Sequence, residues 1–267
     1  MNEINTSSVR VLRRAFDILE AFDEEHAVMS LQEISNRIDL PKTTAFRLIS
    51  TMVETGYLVQ TRSGDYCLSY KFMALAAVAQ STFDIRDTAR PAMERIRELT
   101  NESVDISIQA GEFRICIEVL ESHHRIKSII RPGETVPLHV GAVGKTFLAF
   151  GPAELLDRLI AMPPAPDFDT EKLRQQVASV RKQGYAFTTG ERVPGASAIA
   201  APVRDHTGRA LYALAVTGPS YRFDERRDEF REVLLEGARE ISSLLGWISP
   251  TGAKRPPAST INESIGD

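Results

Sequence analysis

The sequence SLQEISNRIDLPKTTAFRLISTMVETGYL, residues 30–58, predicts the fold of the N-terminal part of the chain. It opens on a capping box, in which the Ser30 hydroxyl can accept a hydrogen bond from the Glu33 amide while the Glu33 carboxylate reaches back. The short helix that follows is interrupted at Asp39, and a second helix is predicted over residues 41–55. Two helices joined by so short a turn are typical of a helix-turn-helix.

A helix precedes this stretch and a hairpin follows it. Apolar residues recur at helical spacing within residues 9–23, which predicts an amphipathic helix. Segments 57–60 and 66–68 flank a turn that contains a glycine, and they are predicted to pair as two short strands. Together these elements predict a winged helix-turn-helix domain over residues 1–69.

The exposed side chains of helix 41–55 have the chemistry that a DNA major groove requires. Arg47 can bind a guanine through two hydrogen bonds, and hydroxyl groups can reach base edges or phosphates. Residues 1–70 contain seven Lys and Arg against ten Asp and Glu, so DNA binding requires the cations to lie on one face. The alternative is a winged helix that contacts protein. The candidate DNA-contacting residues are Arg10, Arg13, Lys42, Thr43, Thr44, Arg47, Ser50 and Arg62.

Beyond the hairpin the pattern changes to a longer series of elements. An Ala-rich stretch predicts a linker helix over residues 70–83. Helices are then predicted at 85–100, 142–150, 153–161, 170–183 and 224–246, and strands at 104–108, 115–119, 126–131, 198–204 and 210–217. Strands bracketed by helices predict an α+β domain over residues 84–247. Residues 248–267 contain Pro, Ser and Lys without periodicity and are predicted to be a disordered tail.

Composition excludes several classes of protein. With 43% hydrophobic and 25% charged residues, the chain has the composition of a globular protein. The longest apolar stretch, residues 72–79, is far shorter than the roughly 18 residues of a membrane span, and the N-terminus has no signal-peptide pattern. Cys67 and Cys116 form no CxxC pair, which disfavours a disulfide framework or a cysteine zinc site. A cytoplasmic protein is therefore expected.

Three short motifs partly match catalytic or metal sites. Residues 144–146, Gly-Lys-Thr, match the end of a phosphate-binding loop, but His139 stands where that loop requires a glycine. Ser197 lies in a partial nucleophile elbow without its closing glycine. His123 and His124 are adjacent, so on a strand they face opposite sides. The sequence therefore predicts no enzyme, and the alternative is a hydrolase-like enzyme domain with a DNA-binding appendage.

Over residues 9–247 the chain resembles the IclR family of bacterial transcriptional regulators. Three blocks carry the resemblance, and their order and spacing make it specific: LQEISNRIDLPKTTAFRLISTMVETGYL, HVGAVGKTFLAF and ERVPGASAIAAPVRDHTGRALYALAVTGP. The resemblance implies an N-terminal winged helix, a linker helix and a C-terminal GAF-like domain that binds a small-molecule effector. It also implies a dimer or tetramer that controls a metabolic operon.

The candidate effector site begins where a helix opens on residues 141–144. Small residues there let backbone amides approach an anion such as a carboxylate, whereas the alternative is tight packing of the helix on a sheet. Lys145 continues this helix and is interpreted as a surface residue without a ligand role. The resemblance adds four pocket positions. The candidate effector-binding residues are then Gly141, Ala142, Val143, Gly144, Ala196, Ala198, Ala215 and Thr217.

Two of these positions depart from the family pattern. Family members often have a cysteine and a serine where this chain has Ala198 and Ala215. Alanine removes polar contacts and frees volume, so the resemblance favours a larger, partly apolar acid, a class that includes aromatic acids, over an effector the size of glyoxylate. The expected partners are double-stranded operator DNA, this carboxylic acid and a second copy of the chain, with the helix over residues 70–82 as a dimer contact. No cofactor or membrane partner is expected.

Overall fold

The structure is a computed structural model in which the N-terminal and C-terminal parts of the chain fold separately. The chain divides into two compact units, Met1–Phe83 and Asp84–Asp267, and each has a hydrophobic core of its own. The residues that the structure describes are 6–23, 25–161 and 168–248. Apart from its first residue, the tail predicted over residues 248–267 lies outside the described residues.

The first unit is the predicted winged helix-turn-helix. Residues Ile18, Ile34 and Ile49 bring the apolar faces of its first three helices together, and Leu58 and Tyr66 add the hairpin to the same core. The two strands of the hairpin are antiparallel. The elements of this unit are α1 (Thr6–Glu20), α2 (Leu31–Arg37), α3 (Lys42–Glu54), β1 (Leu58–Gln60), β2 (Tyr66–Leu68) and α4 (Lys71–Thr82).

Hydrogen bonds fix the start of α2 and the turn from α2 to α3. The predicted capping box is present, since the Glu33 amide donates to Ser30 Oγ at 3.3 Å and the Ser30 amide donates to Glu33 Oε2 at 2.8 Å. After α2, Asp39 takes a left-handed φ of 48°. The Leu40 amide then donates to the Ser35 carbonyl at 3.0 Å, and the Ser35 hydroxyl donates to the Leu40 carbonyl at 2.5 Å. These bonds hold the entry to α3 against α2.

The second unit is an α+β domain around one six-stranded antiparallel sheet. The strand order across the sheet is β5-β4-β3-β8-β7-β6. Its strands are β3 (Ser103–Ala110), β4 (Phe113–Leu120), β5 (Thr135–Pro137), β6 (Ala186–Thr189), β7 (Ala196–Arg204) and β8 (Ala210–Pro219). Its α-helices are α5 (Ile85–Thr100), α6 (Gly141–Phe150), α7 (Ala153–Ala161), α8 (Thr170–Gln183), α9 (Ser220–Phe223) and α10 (Arg227–Leu244).

The sheet carries helices on both faces. On one face, α5 and α10 cover large side chains such as Ile106, Ile199 and Leu214. On the opposite face, α6 packs on the small side chains of Ala200 and Ala213. Successive residues of a strand point to opposite faces, so the alternation of large and small residues in β7 and β8 lets α6 approach the sheet closely. Eight of the ten α6 residues are consequently buried.

The strand predicted over residues 126–131 is wrong. The structure has an irregular loop there. The Ile126 carbonyl accepts a hydrogen bond from Arg222 Nη2 at 2.8 Å, and the Ile129 carbonyl accepts one from Arg192 Nη2 at 3.1 Å. Arginine side chains thus satisfy the carbonyl groups that a neighbouring strand would otherwise pair. The short strand β5 forms after this loop instead.

Two other elements differ from the sequence prediction. The edge strand β6 has only four residues and pairs with β7, and no sequence pattern indicated it. The helix predicted over residues 224–246 begins later, because α9 and a 3₁₀ turn at Asp224–Arg226 come before α10. The fold class itself, an N-terminal helix-turn-helix and a C-terminal α+β domain, is confirmed.

Candidate functional site

The exposed face of α3 carries four of the eight residues predicted to contact DNA. Ala45, Ile49 and Met52 are buried in the core of the first unit, which turns the opposite face of the helix outward. Thr44 is half-buried, and its amide donates to the Pro41 carbonyl at 2.9 Å. The exposed side chains of this face are Lys42, Thr43, Arg47, Ser50 and Glu54.

The side chains of the predicted cations of the first unit are exposed. Arg10 and Arg13 lie on α1, and Arg62 lies in the turn between β1 and β2. Within the described ranges, the side chains of these arginines and of Lys42 and Arg47 make no ion pair or hydrogen bond. Cations that are not neutralised by the protein remain available for phosphates and base edges.

Phe46 is a candidate DNA contact that the sequence reasoning missed. Its ring is 51% exposed on α3, between the buried Ala45 and the exposed Arg47. A phenyl ring can make apolar contact with a thymine methyl group in the major groove. Its position in the helical pattern could have indicated this role, because residue 46 is aromatic and yet lies outside the buried stripe of α3.

The second unit contains a small cavity beside the first turn of α6. Its volume is about 40 Å³, which exceeds the roughly 10–15 Å³ that one water molecule requires. Strands β3, β4, β6, β7 and β8 and the loop before β7 also border it. Six of the eight predicted effector residues line this cavity: Gly141, Ala142, Val143, Ala196, Ala198 and Thr217.

The first amide of α6 is bonded to a carboxylate of the protein itself. The Gly141 amide donates to Glu191 Oε2 at 3.0 Å, and Lys145 Nζ donates to Glu191 Oε1. Lys145 is 3% exposed, so its interpretation as a surface residue is wrong. Burial lowers the pKa of its ammonium group, and the bond to Glu191 opposes that effect. This ion pair joins residues 46 positions apart, and no sequence pattern indicated it.

The two remaining predicted residues pack beside the cavity without lining it. Ala215 is fully buried in the core between α6 and the sheet. Gly144 lies against the backbone of Leu138, and a Cβ at residue 144 would be 2.1 Å from the Leu138 carbonyl oxygen. The glycine is therefore required by the close approach of two backbone segments. At this residue the alternative of tight packing is the one observed.

A buried arginine and a buried aspartate also line the cavity. Arg114 of β4 and Asp105 of β3 are 4% and 1% exposed. Arg114 Nη1 lies 3.8 Å from Asp105 Oδ2 and donates to Ser107 Oγ at 3.1 Å. Burial raises the pKa of the Asp105 carboxyl, and the positive charge of Arg114 opposes this rise. The sequence reasoning missed both residues, since each is one of several polar residues in its strand, β3 or β4.

The two motifs that partly match catalytic sites take part in hydrogen bonding and helix structure within the fold. Ser197 is fully buried. Its hydroxyl donates to Asp224 Oδ1 at 3.0 Å and lies within hydrogen-bonding distance of the Thr189 and Ser220 hydroxyls. A serine nucleophile needs an adjacent base such as histidine, and these partners include no imidazole. Residues 144–146 lie inside α6 rather than in a loop that could wrap phosphates.

The described part of the chain also has no group of three or more His, Cys, Asp or Glu residues placed to hold a metal ion. His124 Nε2 lies 3.0 Å from Asn101 Nδ2, which gives this ring a polar partner.

No helix in the described ranges is long and apolar enough to cross a membrane.

Two family models match the chain, one in each unit. The model described as the IclR helix-turn-helix domain matches residues 11–62. The model described as the bacterial transcriptional regulator IclR C-terminal domain matches residues 77–243. Together they cover the elements that form the α3 face and the cavity.

Individual relatives agree with these matches. The chain is 30% identical over 248 residues to the HTH-type transcriptional regulator KdgR of Dickeya chrysanthemi, covering 90% of this chain and 81% of that protein. An IclR transcriptional regulator from Silicibacter shares the fold, with a TM-score of 0.81 at 23% identity over 90% of this chain and 97% of that one. An IclR homologue from Microbacterium hydrocarbonoxydans, solved with 4-hydroxybenzoate, has a TM-score of 0.55 at 26% identity over 88% and 98% of the two chains. The chain belongs to the IclR family of bacterial transcriptional regulators, and its first unit is the DNA-binding helix-turn-helix domain of that family.

Proposed function

We propose that this regulator is ligand-responsive, and that a small organic acid in the cavity of the second unit changes the affinity of the first unit for operator DNA. The observation that carries the proposal is the cavity itself. It is lined by six of the eight residues that the sequence predicts for effector binding. Small-molecule sites are concave and combine apolar walls with a few polar groups, and this cavity has that composition.

The DNA-contacting residues are assigned to two roles. Arg47 and the hydroxyl side chains of α3 read base edges in the major groove, where arginine forms paired bonds with guanine. Arg10, Arg13 and Arg62 bind phosphates, which position the protein but carry no sequence information. Support comes from the exposure of these side chains and from their lack of protein partners in the described residues.

The effector is assigned to the organic acids, and an aromatic acid is favoured. Ala196 and Ala198 give the cavity apolar walls, and Thr217 contributes a hydroxyl group. The homologue from Microbacterium was solved with 4-hydroxybenzoate, an acid with one aromatic ring. The operon under control is assigned to the catabolism of such a compound.

The regulator is further assigned as a homodimer or a tetramer, without catalytic activity of its own. A single winged helix makes few base contacts, and two-fold symmetry doubles them on a pseudo-palindromic operator. Helix α4 exposes Met73 and Leu75 at 67% and 47%, and such apolar side chains suit a contact between two copies of the chain.

The experiment is an affinity measurement on DNA from upstream of the regulator's own gene. Fluorescence anisotropy of labelled DNA is followed with and without small carboxylic acids, and an unrelated sequence serves as control. We expect specific binding that at least one acid weakens or strengthens. Binding that no acid changes would contradict ligand response. Turnover of ester substrates by the purified protein, abolished by Ser197→Ala, would support the hydrolase alternative.

A further inference from the structure

The charged groups around the cavity differ in how fully the protein satisfies them. Lys145 and Glu191 form a closed pair at the start of α6. Arg192 is likewise satisfied, since it pairs with Glu134 and donates to the Ile129 carbonyl. These groups hold the loop before β7 and have protein partners already. A ligand that bound them would have to displace a protein carboxylate.

Arg114 is the exception among the cavity residues that the structure describes. Its Nη1 atom donates to Ser107 Oγ, but Nε and Nη2 have no hydrogen-bond partner. Neither nitrogen is sealed from solvent, although the side chain as a whole is only 5% exposed. Arg114 lines the cavity, so these two nitrogens are the donors that it can offer to a ligand there. Nε and Nη2 form one edge of the guanidinium group, an edge that matches the two oxygens of a carboxylate.

Asp105 does not use this edge. Its nearest oxygen lies 3.8 Å from Nη1, which is longer than a hydrogen bond, and it accepts from Ser107 at 3.2 Å. Burial raises the pKa of the Asp105 carboxyl, and the positive charge of Arg114 opposes that rise. A buried guanidinium with two open donors is costly unless an anion or water satisfies it.

We infer that Arg114 holds the anionic group of the effector through Nε and Nη2, and that it selects carboxylates over their neutral analogues. The inference rests on the proposed function and deepens it. It moves the anion from the Gly141 amide, which Glu191 occupies, to the β4 side of the cavity. The apolar part of the ligand then lies against Ala196 and Ala198, toward α6.

The test is a thermal-shift and calorimetric comparison on the full-length protein. The probes are benzoate, 4-hydroxybenzoate, pyruvate and succinate, each beside its primary amide. A bound ligand raises the melting temperature by mass action. We expect at least one carboxylate, and not its amide, to stabilise the wild type. Arg114→Gln removes the paired, charge-assisted hydrogen bonds. We therefore expect it to weaken binding of that carboxylate by about 10- to 100-fold.

Two further variants keep the result interpretable. Arg114→Gln leaves Asp105 buried without its cation, so the double variant Arg114→Gln, Asp105→Asn removes both charges and serves if the single variant unfolds. Arg125→Gln changes an exposed arginine outside the cavity and should bind the carboxylate as the wild type does.

The outcomes separate this inference from the proposed function. A carboxylate that binds the wild type and the double variant equally, or an amide that binds as tightly as its acid, would overturn the role of Arg114 and leave a ligand-binding domain. Stabilisation by none of the eight probes would count against both.

Discussion

The side chain of Arg47 lies on the exposed face of α3 and has no protein partner in the described part of the chain. We predict that Arg47→Ala costs about 1–3 kcal/mol on the preferred operator and relaxes the preference at one base position in each half-site. The measurement is anisotropy on a set of operators that differ by single base pairs.

Arg62→Ala is the matched comparison for this variant, because Arg62 is also an exposed arginine of the first unit. Arg62→Ala should weaken binding to all DNA sequences alike. It should also reduce the slope of log affinity against log salt concentration by about one. Unchanged base preference in Arg47→Ala would remove this residue from the base-reading role.

The two cysteines are predicted to differ in reactivity. Burial raises the pKa of the Cys116 thiol to about 12, so almost none of it is thiolate at about pH 8, and the thiolate is the reactive form. Cys67 is only half-buried. A thiol reagent should therefore modify Cys67 in the native protein and both cysteines after denaturation. Rapid modification of both in the native state would show that the core around Cys116 opens.

Hydrogen bonds between residues close together in the sequence could be predicted, and ion pairs between residues far apart could not. The capping box joins Ser30 and Glu33, which are three positions apart, so spacing alone indicated it. The pair between Lys145 and Glu191 spans 46 positions, and it depends on how the loop before β7 folds over α6. Arg114 is an ordinary polar residue in the sequence pattern, and only the pairing of β3 with β4 places it beside the cavity.

Among the elements, α6 depends most on a single residue. A Cβ at Gly144 would lie 2.1 Å from the Leu138 carbonyl oxygen, so Gly144→Ala must push the helix away from the preceding segment. We predict a loss of at least about 1–3 kcal/mol in the free energy of unfolding of the second unit, measured by urea denaturation.

The control for this variant is Ala153→Gly, at the exposed start of α7. It exchanges the same two residue types in the opposite direction and should cost no more than about 1 kcal/mol. If Gly144→Ala proved as stable as the wild type, the close contact between α6 and Leu138 would be wrong.

The elements that the sequence predicted are those with strong periodicity or a cap. α3, α5 and α8 have buried stripes at helical spacing, and their positions were close to those observed. The segment 126–131 has apolar residues typical of a strand, yet arginine side chains satisfy its carbonyl groups. Tertiary contacts therefore overrode the local pattern. β6 was too short for its pattern to be recognised.

At the scale of the molecule, we predict that α4 is part of the dimer contact. Leu75 is 47% exposed on this helix, and a charge there would be buried in an apolar interface without a partner. Leu75→Glu should shift the protein toward monomer in sedimentation and weaken operator binding. Lys71→Glu would not serve as a control, because Lys71 Nζ donates to the Thr55 carbonyl. Ala77→Gln, a neutral change at another exposed position of α4, is the milder comparison. A Leu75→Glu protein that stays dimeric would exclude this contact.

The two units can be distinguished in the sequence, because each unit carries its own motifs. The helix-turn-helix stretch and the residues at the start of α6 carry the resemblance to the family, and one family model matches in each of these units. The sequence does not reveal the chemistry on the ligand side, since the cavity is assembled from five strands, a helix and the loops before β5 and β7. Its charged residues come from positions 105–192.

We propose that a ligand in the cavity of the second unit controls DNA binding by the first. The most direct measurement is anisotropy of labelled upstream DNA, with and without the most stabilising carboxylate, for the wild type and Ala198→Leu. Ala198 lines the cavity, and leucine fills that space. We expect both proteins to bind DNA equally without ligand, and only the wild type to respond to the acid. An Ala198→Leu protein that responds to the acid as the wild type does would contradict it.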